Sequence, residues 1–302
     1  MEMCNKTALR VFTQMNSHLF YEIQLSTLCL SYAVNMLLSA PLLLAMTRSP
    51  SMLGKLRFLL LTHLLCCDNL QLLVLSTGAV LFTHWHGMRV SQCVILAAAS
   101  QGCSIVQILL SAALAVDRCV AIKWPLRYEL LMPPSRRRAV VACSWAASLL
   151  TVSVGLYLAL SSVQINSTLP RCRTLVIAHC LTGALGLWIF CTVVSALLLP
   201  GCYLTTLGCF LLLAWDVRGL LRSRRAALTL ALQAVQMLFY SVPLLLNSHL
   251  LPSRLQCDAL DIAAGNFYSL GVSLIPLVYG YHSRELQRRL VQAPLRNNII
   301  PE

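Results

Sequence analysis

VILAAASQGCSIVQILLSAALAV, residues Val94–Val116, runs for twenty-three positions without an Asp, Glu, Lys or Arg, and Asp117-Arg118 closes it. A bilayer core about 30 Å thick is crossed by about 20 helical residues. This stretch is therefore long enough to span, with a charged pair where it would meet water. Working outward, the same pattern repeats. Ile23–Met46, Ala139–Ile165, Thr174–Trp215, Ala226–Pro252 and Ile262–His282 carry no charge, and Phe58–Phe82 is interrupted only by His63 and Asp68. That makes seven candidate spans. Backbone N–H and C=O groups in lipid have to be satisfied within the segment, which makes each span a helix. The whole chain of 302 residues is 58% hydrophobic and 11% charged. Soluble domains carry about 25% charged residues, so no separate soluble domain is expected.

Charge sets the expected orientation. With the N-terminus outside, the inner side holds Arg48, Lys55, Arg57, Arg118, Lys123, Arg127, Arg136, Arg137, Arg138, Arg218, Arg222, Arg224, Arg225, Arg284, Arg288, Arg289 and Arg296. The outer side holds Lys6, Arg10, Arg89, Arg171, Arg173 and Arg254. Seventeen against six is the excess the positive-inside rule describes. The net charge of +13 thus reads as topology and contact with membrane lipids, with no nucleic-acid partner, because the basic residues sit in short loops. The sequons at Asn5 and Asn166 fall on the expected outer side and are candidate glycosylation sites. The mixed, polar first twenty residues do not read as a cleavable leader.

The expected layout is an all-α seven-transmembrane bundle. Residues 1–21 form an extracellular tail, 22–281 the membrane domain and 282–302 a cytoplasmic surface helix and tail. Spans are expected at 22–47, 56–82, 90–118, 139–163, 182–214, 226–250 and 259–281, with Pro200 as a kink inside the fifth. Ser283–Gln292 reads as an amphipathic helix with Leu286 and Leu290 on one face.

Two intramembrane features stand out. Asp68 is a mid-span carboxylate, which needs a partner and marks function by default. Asn35 and Gln107 are the candidate partners. Most of the fourteen cysteines are scattered singly in spans, where Cys packs as a small apolar residue. No metal site, cofactor motif or catalytic constellation emerges, so an enzyme is not expected. A transporter would show internal repeats and several intramembrane ionisable groups, and neither is present.

The run Ala115-Val116-Asp117-Arg118-Cys119-Val120-Ala121-Ile122-Lys123-Trp124-Pro125-Leu126-Arg127-Tyr128 resembles the end of the third helix and the second inner loop of rhodopsin-family (class A) G-protein-coupled receptors. It is most similar to the odorant-receptor-like members, with Cys119 in place of their Tyr. Further landmarks match by spacing: Cys93, Asn35, Asp68, Trp145, Pro200, Pro243 and Pro276-Leu277-Val278-Tyr279. The short loop before span 6 and Leu232-Gln233-Ala234-Val235-Gln236 look most like fish-type odorant-receptor-like proteins. Ile275 departs from the Asn usual before that proline, and Ser241 from the Trp many non-olfactory members carry.

The resemblance implies a plasma-membrane receptor with a heterotrimeric G protein as its inner partner. Asp117, Arg118, Pro125 and Tyr279 would form the coupling switch, with Arg118 released when span 6 moves. Asn35, Asp68 and Gln107 would form a polar core, either linked to sodium or a structural knot. Cys93 would pair with Cys172, with Cys180 as the rival. Cys4 with Cys257 is a further outer pair. The ligand would lie between the outer halves of spans 3, 5, 6 and 7. Ser100, Gln101, Ser104 and Ile105 would face it from span 3, joined by Thr192, Leu244, Asn247, Gly265 and Ser269. None of these is a carboxylate, and Ser100 stands where amine receptors place Asp. A small neutral odorant-like molecule is the expected ligand. A lipid or peptide ligand, or a signalling-dead relative, is the alternative.

Overall fold

The computed structural model describes residues 17–85, 88–161, 168–169, 185–216, 231–242, 245 and 258–282. The described chain is almost entirely helical. Helix α1 is Ser17–Thr47, α2 the single turn Pro50–Leu53, α3 Leu56–Trp85, α4 Val90–Lys123, α5 Tyr128–Leu131, α6 Pro134–Ser161 and α7 Leu185–Asp216. A shorter apolar helix, α8, covers Ala231–Val242, and α9 covers Asp258–His282. Five of these, in α1, α3, α4, α6 and α7, are long and apolar enough to cross a membrane.

The surface of the bundle is apolar. Leu37, Leu197 and Tyr157 are each more than 70% exposed, and Leu150, Leu204 and Phe267 are exposed as well. In water such a surface would drive aggregation, whereas in a bilayer it is ordinary. The polar side chains are correspondingly inside, with Asn35, Asp68, Gln71, Ser104 and Gln107 fully buried.

Helix α4 is the spine. It packs against α3, α6 and α7, while α1 packs against α3 and α9. The main core joins Leu64 and Leu72 of α3, Ile105, Ile108 and Leu110 of α4, Leu199 of α7, Met237 and Tyr240 of α8, and Tyr268 and Val272 of α9. Trp145 of α6 packs edge-on against His63 of α3, with ring centroids 6.4 Å apart. Pro200 lies inside an unbroken α7, as expected of a proline whose freed carbonyl is tolerated in a spanning helix. A two-residue antiparallel pairing, β1 (Met88–Arg89) with β2 (Thr168–Leu169), ties the start of α4 to the chain after α6.

Several helix ends differ from the sequence reading: α3 runs on to Trp85 and α4 to Lys123, and two helices start earlier. Helix α1 starts at Ser17 rather than 22, because His18–Tyr21 contains no helix breaker. Helix α6 starts at Pro134 rather than 139, so Arg136–Arg138 stand in its first turns instead of a loop. Proline at the first helical position loses no hydrogen bond, and long Arg stems can carry their charge to the interface. Residues 1–16 of the tail expected at 1–21, the surface helix at 283–292 and residues Asn5, Asn166, Cys172, Pro243, Leu244 and Asn247 lie outside the described residues.

Candidate functional site

Two polar clusters lie along α4, one near mid-span and one at its C-terminal end. Asp68 is the centre of the first and is fully buried. Its Oδ1 accepts from Gln107 Nε2 at 3.0 Å, and its Oδ2 accepts from the Tyr240 hydroxyl at 3.2 Å. Tyr240 in turn accepts from Gln236 Nε2 at 2.7 Å. The Tyr268 hydroxyl donates to Gln107 Oε1 at 3.3 Å. One carboxylate thus ties α3 directly to α4 and α8, and through Gln107 to α9. A buried carboxylate is costly unless donors surround it, and here α4 and α8 each supply one.

Gln107 is therefore a partner of Asp68. Asn35 goes elsewhere: its amide donates to Asn69 Oδ1 at 2.9 Å, and Asn69 donates to Ser39 Oγ and the Leu65 carbonyl, both at 2.8 Å. This is a separate clasp between α1 and α3. Lower in the bundle, Gln233 of α8 donates to the Ser111 carbonyl of α4. Ile275 is buried and apolar, and brings no oxygen to the core.

The second cluster surrounds Asp117. Its Oδ1 accepts from the Tyr128 hydroxyl at 2.5 Å. The phenol of Tyr128 is pushed up by burial and by that carboxylate, so it remains a protonated donor. The positive charges of Arg57, Arg118 and Arg137 all act on Asp117. Arg118, half-buried, follows directly on α4. The segment that delivers Tyr128 is short and well fixed. Trp124 caps α4 by donating its backbone N–H to the Val120 carbonyl at 2.9 Å, and Pro125–Arg127 forms one 3-10 turn leading into α5.

Arg137 holds this segment in place. It donates to the Met132 carbonyl at 2.6 Å, to the Gly54 carbonyl between α2 and α3, and to Glu129. Its guanidinium also lies over the Tyr128 ring, 5.7 Å from the centroid. Of the expected switch residues, Asp117 and Arg118 adjoin this cluster. Pro125 starts the 3-10 turn, and Tyr279 falls within α9, where only its backbone is described.

The described members of the expected ligand set have the following partners. Ser100 is nearly buried and accepts from Gln71 Nε2 at 2.8 Å. Ser104 donates to the Ser100 carbonyl at 3.0 Å, and Ile105 packs in the core. Ser269 accepts from Ser31 at 3.4 Å and donates to the Asn266 carbonyl at 3.0 Å. Space around Gly265 is open. Thr192 Oγ1, Ser195 Oγ and Asn266 Oδ1 are buried without a hydrogen-bond partner among the described residues. Gln101 lines a cleft of about 640 Å³, counting its open mouth, between α4, α6 and α7. This space lies on the α6 side of α4.

A long central helix with Asp117-Arg118 near its C-terminal end, a buried carboxylate braced by neighbouring helices and an apolar exterior together describe a membrane bundle with a polar interior. The family model for the seven-transmembrane receptor (rhodopsin family) matches residues 40–262. The chain belongs to that family. It is a G-protein-coupled membrane receptor and not an enzyme, and binding a ligand and coupling to a G protein follow from membership. No curated protein matches the chain.

Several residues of the receptor core were missed in the sequence: Asn69, Gln236, Tyr240, Tyr268 and Arg137. A signal existed for two of them. Gln233, Gln236 and Tyr240 are three and four apart, so one face of α8 is polar within an apolar run. For Arg137 there was none, since Arg136, Arg137 and Arg138 look alike until the helix start is known.

Proposed function

We propose that this receptor is a chemosensory, odorant-type receptor of the plasma membrane, N-terminus outside, which binds a small neutral molecule and signals through a heterotrimeric G protein. The observation that carries the ligand class is the chemistry of the unpartnered polar atoms. Thr192 and Ser195 of α7 and Asn266 of α9 offer two hydroxyls and an amide oxygen, all buried. Buried polar atoms cost free energy until a partner arrives. An uncharged ligand with one or two hydrogen-bonding groups supplies that partner, and no carboxylate stands among the candidate ligand residues to balance a cation. Arg118, with Asp117 occupied by Tyr128, is the coupling group.

The pairing of Cys93 with Cys172 belongs to the same proposal. Cys93 is disulfide-bonded. The β1–β2 pairing puts Arg89 opposite Thr168, which brings the chain just before Cys172 close to the start of α4. The test is a panel of G-protein sensors in cells expressing the receptor or Arg118→Ala at equal surface levels. Basal or odorant-evoked signal that disappears in the variant supports the reading. A receptor that reaches the surface, stays silent with every sensor and odorant, and equals the variant refutes it.

A further inference from the structure

We propose that Cys119 of α4 and Cys209 of α7 form a redox-active dithiol, which a peroxide closes to a disulfide and cytosolic thiols reopen, tying the two helices together beside Arg118. The proposal rests on the orientation given above, in which the C-terminal end of α4 faces the cytosol. The pair is built by the packing of the two helices. Both residues are buried and both carry free thiols. With Ala115 they form a small core of their own, closed by Val116 and Ile122. Inside it the Cys209 thiol hydrogen-bonds with that of Cys119. The sulfurs are thus directed at each other across the helix interface. A disulfide forms only where two Cβ atoms come within about 3.5–4.5 Å and point together. Among the described residues no group of three metal-ligating side chains exists, which favours a bond between the sulfurs over a shared metal ion.

Depth separates this pair from the other thiols. Helix α4 ends at Lys123 and α7 at Asp216. At about 1.5 Å per residue, Cys119 lies about 6 Å and Cys209 about 10 Å from those ends. Cys67 of α3 and Cys103 of α4 also act on one another. Cys103, however, is sixteen residues further into α4 than Cys119, about 24 Å deeper, where a charged cytosolic reductant does not follow. Disulfides that form in the cytosol are usually transient and redox-sensing, and Cys119 and Cys209 stand where such a bond can be both made and undone. Arg118 immediately precedes Cys119. The bond would therefore hold α7 against the turn of α4 that carries the coupling group.

The step balances with hydrogen peroxide as the oxidant, a small uncharged molecule that reaches a thiol one turn inside the helix end. The Cys119 sulfur, as thiolate, attacks one peroxide oxygen. The O–O bond breaks, the departing hydroxide takes up the thiol's proton as water, and Cys119 becomes a sulfenic acid. The Cys209 sulfur then attacks the sulfenic sulfur. The S–S bond forms, the S–O bond breaks, and the leaving hydroxide takes the Cys209 proton as a second water. The sulfurs lose two electrons and the peroxide oxygens gain them. Cytosolic thiols return both electrons by exchange through a mixed disulfide.

The test uses the full-length receptor in intact cells exposed briefly to hydrogen peroxide. Free thiols are capped with N-ethylmaleimide, and the receptor is digested without reductant for mass-spectrometric mapping. Basal G-protein signal is read in the same cells, with Cys209→Ala as the control for peroxide acting elsewhere. We expect the Cys119 peptide to appear linked to the Cys209 peptide after peroxide, and the link to fade after wash-out. Basal signal should be lost in proportion to the linked fraction and return with wash-out, while Cys209→Ala is unaffected. Cys119 and Cys209 recovered as separately capped thiols after peroxide would overturn the proposal and leave the orientation standing. A bond complete before peroxide and lasting through wash-out would overturn the orientation with it. A linked pair with undiminished signal would overturn the hold on coupling. The mapping needs neither agonist nor signal, so the unsubstituted receptor decides the bond even if it is silent in every sensor or if Cys209→Ala fails to reach the surface.

Discussion

Tyr240→Phe removes one hydroxyl and leaves every apolar contact of the ring in place. In the structure that hydroxyl donates to Asp68 Oδ2 at 3.2 Å and accepts from Gln236 at 2.7 Å. It is the direct bond from α8 to the buried carboxylate, so losing it loosens α8 from α3 without opening a cavity. A buried hydrogen bond whose partner is left unsatisfied costs about 1–3 kcal/mol. Interhelical bonds within membranes measure lower, about 0.6 on average and about 1.7 at most. A loss of about 1 kcal/mol is the reasonable figure, equivalent to about a fivefold change in a two-state ratio. If movement of α8 accompanies activation, that ratio is resting to active, and basal G-protein signal per surface receptor should rise about fivefold. Tyr268→Phe is the control: its hydroxyl meets Gln107, not Asp68, so it should shift the signal less. Basal signal is measured with a G-protein sensor, normalised to surface staining, alongside thermal melting in detergent. A Tyr240→Phe receptor with unchanged basal signal and unchanged melting would refute the claim that this bond holds α8.

Three further outcomes are expected. Replacing sodium by choline should leave basal signal and ligand affinity unchanged, because Gln107 and Tyr240 already take both Asp68 oxygens and Ile275 adds none; a sodium-dependent shift in either would show that a cation competes with these donors. Arg137→Ala should lower stability by about 2–3 kcal/mol through its lost charge-assisted bonds to backbone carbonyls. Glu129→Gln should cost at most about 1 kcal/mol, since Glu129 is 79% exposed and its ion pair is screened by solvent; equal melting losses in the two variants would contradict this ranking. Gly271→Ala should destabilise by about 1–3 kcal/mol, because the new Cβ would run into the Phe239 ring, itself packed on Phe267 at 4.9 Å; normal surface expression and melting would show that the ring gives way.

The helices were legible because a bilayer imposes a length and forbids charge, and both can be read along one strand of sequence. α3, α4 and α9 accordingly begin within a residue of the spans expected at 56, 90 and 259. Ends set by local backbone chemistry were less legible: Pro134 extends α6 into the Arg136–Arg138 run, which composition alone assigns to a loop. The motif at Asp117-Arg118 was legible as a pattern, but its partner was not. Tyr128 meets Asp117 only because Trp124 ends α4 and a single 3-10 turn reverses the chain.

The polar core shows why pairing is harder to read than spanning. Asp68 needs donors, and the sequence offers many at similar depth: Asn35, Asn69, Gln71, Gln107, Gln236 and Tyr240 all stand in apolar helices. Hydropathy says each must be satisfied inside the bundle, but it does not say by which. Rotation about each helix axis decides that, and a single step turns a helix face by about 100°. Asn69, one residue after Asp68, is carried round to the α1 side and takes Asn35, while Asp68 faces α4 and α8. A difference of one residue in facing thus gives Asn35 to Asn69 and not to Asp68. The same reasoning accounts for the bond from Gln107, eleven residues or about three turns before Arg118. It lies on the side of α4 that meets α3, where a long amide reaches a carboxylate that Asn35 does not.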